Sequence, residues 1–240
     1  MEIIKVVDLK KSFGSVEVLK GLNFHIEEGE RIAIMGNSGC GKTTLLKILG
    51  LIDDSTYGDV YYKGKKSKNL SSDEISEIRL NDIGFVFQDF RLLDSLTIQE
   101  NIMLPMIINK EEEKIMFDRC DYYAQKVGIK HLLNKKPPHI SGGEKQRTAI
   151  CRALINNPSI IYADEPTGNL DSKTGKTIID ILVNTNIELE KTLIMVTHDP
   201  LIASHCNRVI WLQDGLIAHE IRGNNKEKLY GEIIEKMKQI

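Results

Sequence analysis

Gly36-Asn37-Ser38-Gly39-Cys40-Gly41-Lys42-Thr43 fits G-x-x-x-x-G-K-[ST], the pattern of a loop that wraps nucleotide phosphates. Its surroundings suit that reading. Arg31-Ile32-Ala33-Ile34-Met35 predicts a buried strand leading in, and Thr44-Leu45-Leu46-Lys47-Ile48-Leu49 predicts a helix leading out and ending at Gly50. Glycines without a Cβ let successive N–H groups turn inward on phosphate oxygens, and the helix N-terminus adds partial positive charge. Lys42 is placed to reach the β- and γ-phosphates, and the Thr43 hydroxyl to ligate Mg²⁺. Gly36, Asn37, Ser38, Gly39, Cys40, Gly41, Lys42, Thr43 and Thr44 are therefore the expected phosphate-binding residues.

At 240 residues the chain is long enough for one large domain or a domain with a sizeable insertion. A formal charge of −2 gives no sign of a nucleic-acid partner. Charges inside Met1-Glu2-Ile3-Ile4-Lys5-Val6-Val7-Asp8 argue against a targeting signal. Apolar segments such as Ile102 to Ile108 and Leu193 to Val196 are far too short to cross a bilayer. Cys40, Cys120, Cys151 and Cys206 show no paired or metal-like spacing, which fits a reducing compartment. Cys40 reads as a small residue at a variable loop position rather than as a redox switch. The expectation is a soluble intracellular protein.

Short β-branched runs alternate with helical patterns, the mark of an α/β architecture with a mostly parallel sheet. The expected core strands are Arg31–Met35, Ile83–Phe87, Ile160–Ala163, Leu193–Val196 and Val209–Leu212. Ile3 to Val7, Val16 to Ile26 and Val60 to Tyr62 predict an antiparallel sheet, joined through Lys11-Ser12-Phe13-Gly14-Ser15. From about Leu92 to Asn157 helical patterning dominates, interrupted by Pro105, Gly128 and Pro137-Pro138, the last pair favouring extended backbone at that point. Glu111-Glu112-Glu113 reads as an acidic helix start. Leu229, Ile233, Ile234, Met237 and Ile240 form an apolar helical face that docks on the core or on a partner, with the core the favoured expectation.

Two further segments carry chemistry. Ser159-Ile160-Ile161-Tyr162-Ala163-Asp164-Glu165 is an apolar strand ending in two acids. Asp164 can hold Mg²⁺, and Glu165 can accept a proton from an attacking water; otherwise the pair are solvated acids at a strand end. Ile140-Ser141-Gly142-Gly143-Glu144-Lys145-Gln146-Arg147 opens a second helix, with a hydroxyl and bare amides expected to face outward as an anion site. A second phosphate-binding helix end about a hundred residues after the first makes sense if it serves another subunit's nucleotide; otherwise it is an ordinary capped helix.

The phosphate loop, Gln88 after an apolar strand, Ser141-Gly142-Gly143-Glu144-Lys145-Gln146-Arg147, Asp164-Glu165 and Thr197-His198-Asp199 follow one another as in the ATP-binding cassette (ABC) ATPases, and the chain resembles them over about residues 2–222. The resemblance implies an α/β P-loop NTPase core, an N-terminal antiparallel β subdomain and an inserted helical subdomain. Residues 1–91 and 158–222 would form the core with its antiparallel sheet, 92–157 the helical part and 223–240 a helical tail. It implies an ATPase using ATP and Mg²⁺, with Phe13 stacking on adenine, Gln88 sensing Mg²⁺ and the attacking water, and His198 contacting the γ-phosphate. Gly168-Asn169-Leu170-Asp171 matches the loop that crosses the dimer interface. Ile140 and Glu144 replace the commoner Leu and Gln of the signature, while Ser141, Gly142 and Gly143 are intact.

The resemblance also implies that two chains pair head to tail, so that each ATP lies between Lys42 of one and Ser141 of the other. It implies a separate integral-membrane permease, with the ATPase peripheral at the cytoplasmic face. Gly84-Phe85-Val86-Phe87-Gln88-Asp89-Phe90, Leu92 to Thr97 and Glu100-Asn101-Ile102 resemble the branch serving macrolide export, lipoprotein release and antimicrobial-peptide resistance. Met195 to Pro200, Ala203 to Ile210 and Tyr230-Gly231-Glu232-Ile233-Ile234 are most similar to the ATPases of bacitracin- and lantibiotic-resistance transporters. The alternatives are lipoprotein-release, macrolide-export and cell-division ATPases.

Overall fold

The computed structural model describes residues 1–238. Two long strands, β1 (Glu2–Phe13) and β2 (Val16–Glu27), open the chain. They are followed by β3 (Arg31–Gly36), α1 (Lys42–Leu49), β4 (Tyr57–Tyr62), the short β5 (Lys65–Lys66), α2 (Ser72–Asn81) and β6 (Ile83–Val86). Helices then take over as α3 (Ile98–Ile108), α4 (Glu113–Lys126) and α5 (Gly142–Leu154), with no strand before β7 (Ile160–Asp164). The remainder is α6 (Ser172–Leu189), β8 (Thr192–Val196), α7 (Pro200–Ala203), β9 (Arg208–Gln213), β10 (Leu216–Arg222) and α8 (Lys226–Met237).

These strands form two sheets. One is antiparallel in the order β2-β1-β4-β5; the other has six strands in the order β10-β9-β3-β8-β7-β6. The larger sheet is parallel except for its β10 edge. Its inner strands alternate between two cores. Ala33, Met35, Ile161, Ala163, Leu193 and Met195 pack with the helical segment, whereas Ile32, Ile34, Ile160, Tyr162, Ile194 and Val196 pack with α1 and the antiparallel sheet. Burial on both faces explains why these strands are continuous apolar runs. Register then aligns their carboxyl ends: Ile34 pairs with Val196, Val196 with Asp164, and Val86 with Ala163. The loops that follow these four strands all emerge at one edge of the sheet, where open α/β sheets bind ligands.

Three expectations are corrected. β1 pairs with β2 as far as Phe13↔Val16, so the connection is only Gly14-Ser15, with Gly14 at φ 59° supplying the turn. Pro105 lies inside α3 rather than breaking it. It sits near the carboxyl end, where the helix has few turns left to lose, and its own carbonyl still accepts from Asn109 N–H at 3.2 Å. Pro137 and Pro138 form a 3-10 turn, and the extended residues are the flanking Lys136 and Ile140. Gly128 does follow the end of α4, at φ 75°, and α4 starts at Glu113 with Glu112 before it. In α8, Leu229 and Ile233 join the core, Ile234 is half-buried and Met237 exposed; Ile240 lies outside the described residues.

Candidate active site

The phosphate loop leaves β3 at Gly36, whose φ of 146° admits few side chains. A Cβ there would lie 2.2 Å from the Leu212 carbonyl oxygen and 2.7 Å from Cys40 Sγ, so backbone packing fixes the glycine. Gly41, at φ 100°, precedes α1 without a side-chain cap, and no acid occupies the first turn. The first helical bond runs from Leu45 N–H to the Gly41 carbonyl at 2.8 Å, leaving the amides of Lys42, Thr43 and Thr44 as donors of an uncapped helix end. Lys42 is buried, and its Nζ donates to the Gly36 and Asn37 carbonyls at 2.8 and 2.9 Å. The lysine's charge is thereby held within the loop, while Asn37, Ser38 and Gly39 are exposed. Cys40 is buried, and burial pushes its thiol pKa up despite the nearby Lys42 charge. All four cysteines are free thiols.

Thr43 Oγ1 donates to Asp164 Oδ1 at 3.0 Å, joining the helix start to the end of β7. Burial raises the Asp164 carboxyl pKa, with the neighbouring Glu165 charge adding to the rise and the Thr43 hydrogen bond opposing it. A divalent cation would relieve that desolvated carboxylate. Among the described residues no group of three or more His, Cys, Asp or Glu side chains forms a metal cage. A hydroxyl and one carboxylate suit Mg²⁺, a hard cation that keeps waters and takes phosphate oxygens rather than filling an all-protein site.

Glu165 adopts φ 45°, a left-handed conformation that costs a non-glycine residue roughly 1–2 kcal/mol. Its N–H continues the sheet by donating to the Val196 carbonyl at 3.0 Å, and its carbonyl accepts from Gly168 N–H at 3.0 Å. The turn brings its carboxylate oxygens to 3.1 and 3.0 Å from His198 Nδ1. Glu165 and His198 line a cavity of ≈ 500 Å³ with Gly168 and Asp171, while residues 36–44 lie outside its wall. The phosphate loop is thus a surface cradle beside a cleft.

Gln88 is held by the 168–169 segment. Its side chain packs against Gly168, its carbonyl accepts from Asn169 Nδ2 at 2.9 Å, and no hydrogen bond links it to Thr43 or Asp164. Phe13 is 53% exposed at the end of β1. Asp171 caps α6 through Oδ1, accepting from Lys173 and Thr174 N–H at 3.1 and 3.0 Å. Hydrogen bonding from Thr174, its side chain first and then its amide, lowers the Asp171 carboxyl pKa.

The second helix end differs from its expectation. Ser141 is exposed, but its N–H and hydroxyl both donate to Glu144 Oε2, at 2.7 and 2.8 Å, and its oxygen accepts from Glu144 N–H at 3.4 Å. This capping box binds the hydroxyl inside its own chain, leaving Gly142 and Gly143 as the residues with uncommitted first-turn amides. The same bonds hold the Glu144 carboxyl below its ordinary pKa. Gly142 faces Leu170, and a Cβ on Gly143 would lie 2.4 Å from Thr174 Cγ2, so the tip is seated on the 168–174 segment.

Two residues outside the expected set hold these parts together. Buried Gln146 donates from Nε2 to the Pro166 carbonyl at 2.7 Å and to the Phe87 carbonyl at 3.4 Å. Arg152 donates to the carbonyls of Phe90 and Arg91, at 2.8 and 2.5 Å. α5 therefore clamps both the Gln88 and the Glu165 segments. No local motif signals such contacts, because their partners are carbonyls of distant chain.

A family model described as ABC transporter matches residues 19–168. The chain belongs to the ABC transporter family. This ABC protein is 46% identical to the ABC transporter ATP-binding protein YxdL of Bacillus subtilis, over 98% of its own length and 92% of that protein. It is 42% identical to the bacitracin export ATP-binding protein BceA of Halalkalibacterium halodurans, over 95% and 92% of the respective chains. Its fold superposes with a TM-score of 0.85 on the dimeric post-hydrolysis cassette MJ0796 of Methanocaldococcus jannaschii, bound to ADP and Pi, at 41% identity and covering 92% and 98% of the two chains. The ABC protein is accordingly an ATPase of the transporter family, with ATP and Mg²⁺ as its cofactors.

Proposed function

We propose that two copies of this ABC ATPase pair head to tail and hold MgATP between the phosphate loop of one and the Ser141 helix tip of the other. The observation that carries this reading is the division of labour between two helix ends. The lysine and the Thr43–Asp164 pair accompany α1, whereas the Ser141 tip has neither, and its side-chain bonds are confined to Glu144. Lys42 and the amides of residues 37–44 bind the phosphates, Thr43, Asp164 and Gln88 hold Mg²⁺, and Phe13 stacks on adenine. Glu165 accepts the proton of the attacking water, His198 orients it and touches the γ-phosphate, and Asp171 presents the 168–171 loop to the partner. Ser141, Gly142, Gly143 and Glu144 complete the site in trans. Mg²⁺ would supply charge neutralisation on the phosphates.

Residues 1–91 and 158–222 would then act as the nucleotide core with its antiparallel sheet, 92–157 as the mobile helical subdomain and 223–240 as the tail. No described helix is long and apolar enough to cross a membrane. Similarity over 92% of the length of two ATP-binding proteins supports a separate permease, with the ATPase peripheral at the cytoplasmic face. Similarity to a bacitracin export ATPase supports antimicrobial-peptide resistance or export as the physiological role. No nucleic-acid partner is proposed.

Mixing Lys42→Ala chains with Ser141→Arg chains tests the composite site. One intact half-site per heterodimer should restore hydrolysis that neither variant shows alone. No recovery in a mixture whose heterodimers are demonstrated by crosslinking would overturn it. Purification with the native membrane complex tests the physiological role. A permease bearing a large extracellular domain supports peptide resistance, and a lipoprotein-releasing or division-type partner redirects the assignment.

A further inference from the structure

Lys11 is 9% exposed, yet it carries an ammonium that needs partners. Nζ donates to Asp53 Oδ1 at 2.8 Å and to the Asp54 carbonyl at 2.7 Å. The Lys11 hydrogen bond in turn lowers the Asp53 carboxyl pKa. From that fixed position Nζ lies 4.9 Å from the centroid of the Phe13 ring. Phe13 is nevertheless half exposed, so one side of the ring meets a buried cation while much of the remainder is open.

The anchor of Lys11 is tied to the phosphate site's own helix. Asp53 lies just beyond the end of α1, and the Ile52 and Asp53 amides both donate to the Lys47 carbonyl, at 2.8 and 3.3 Å. The neighbouring Thr56 ties down the same end of β1, donating its N–H to the Lys10 carbonyl at 2.9 Å and accepting from Ser12 N–H at 3.0 Å. A chain of contacts therefore runs from α1 through Asp53 and Lys11 to the ring.

We infer that Lys11 is a positioning residue for the nucleobase, fixing the Phe13 ring from behind and setting its distance from the phosphate loop. The inference rests on the proposed stacking of adenine on Phe13. A cation against one face draws π density towards itself and makes the opposite face less repulsive to an electron-rich purine. Holding the ring in one orientation also removes ordering that binding would otherwise require. Lys11 does not itself touch the nucleotide.

The test compares MgATP with magnesium tripolyphosphate, which has the phosphates and no base, by equilibrium binding to the full chain. Lys11→Met should raise the MgATP dissociation constant about two- to fivefold, the effect of an ordinary cation–π contact, and leave tripolyphosphate unchanged. Lys11→Arg should restore most of the loss. Lys11→Met/Asp53→Asn, which removes the pair together, should reproduce the base-selective loss if the single variant folds poorly. In a Phe13→Ala background Lys11→Met should have no further effect. Equal weakening of tripolyphosphate, or an additive loss in the Phe13→Ala background, overturns the inference. If Phe13→Ala weakens MgATP and Lys11→Met does not, only the role of Lys11 falls. If Phe13→Ala leaves MgATP binding unchanged, the stacking reading falls and takes this inference with it.

Discussion

The two glycine-rich helix starts of this ATPase look alike in sequence and differ in structure. α1 begins after Gly41 with no side-chain cap and no acid in its first turn, and with Lys42 folded back into the loop. α5 begins after Ser141 with a complete capping box whose Glu144 carboxylate receives both the hydroxyl and the N–H of Ser141. Helices α2 and α3 carry the same box, at Ser71/Glu74 and Thr97/Glu100. One end is left without a side-chain cap and has the Lys42 ammonium folded into its loop; the other is closed like any well-capped helix and carries a negative charge. An anion can therefore settle on the first end within a single chain, while at the second it must share the tip with a resident carboxylate.

Trapping the nucleotide-bound state is the most direct way to sharpen this contrast. Glu165→Gln removes the proposed proton acceptor beside His198 but keeps the size of the side chain. Hydrolysis should fall about a hundred- to ten-thousandfold, the usual contribution of a general base. Binding of ATP should persist, and size-exclusion chromatography should show an ATP-dependent dimer if the closed helix end opens to a partner's phosphate. Undiminished turnover would remove Glu165 from its role.

The open end should be the more fragile of the two. Lys42→Ala deletes the buried ammonium held 2.8 and 2.9 Å from the Gly36 and Asn37 carbonyls. Loss of a desolvated charge partner should weaken MgATP binding at least about thirtyfold in a direct titration of the isolated chain. A change of only a few fold would mean that the loop amides bind the phosphates without the lysine, and that the two helix ends differ less than their geometry implies.

Legibility in the sequence divides along the same line. The phosphate loop and the strands entering and leaving the site read directly, because a glycine pattern and doubly buried strands are local signals. β10 escapes such a reading because it is an exposed edge strand on which only Ile221 is buried. α2 escapes it although Ser71 and Glu74 spell a capping box, since none of its residues is buried and no apolar stripe marks it. At Ser141 the difficulty is one of interpretation: Ser-x-x-Glu is visible, yet a hydroxyl expected to face outward is taken by Glu144. The contacts of Gln146, Arg152 and Lys11 cannot be read at all. Their partners are carbonyls, a carboxylate or a ring brought close only by the fold.

A smaller effect is expected where the closed end is altered without being unfolded. Glu144→Gln retains an acceptor for the Ser141 amide and removes the negative charge from the tip. Since one charge at a helix terminus is worth about 0.3–1 kcal/mol, the ATP concentration that half-assembles the Glu165→Gln dimer should fall up to about fivefold. The melting temperature of the nucleotide-free chain should barely move. Weaker assembly would show instead that Glu144 serves the composite site by holding Ser141 in place.

The smallest effect concerns the three boxes as ordinary caps. Glu74, Glu100 and Glu144 all have carboxyl pKa values lowered by hydrogen bonds from Ser71, Thr97 and Ser141. A carboxylate whose folded pKa lies below its unfolded value of about 4.3 stabilises the fold fully only above that value. The contribution is lost as pH falls through the folded pKa. Wild-type chain should therefore melt slightly above a Glu74→Gln/Glu100→Gln/Glu144→Gln variant between about pH 6 and 8, and the gap should close below about pH 4. A gap that stays constant into acid would mean that the three carboxylates do not differ from their unfolded state. The closed character of the second helix end would then be geometric rather than electrostatic.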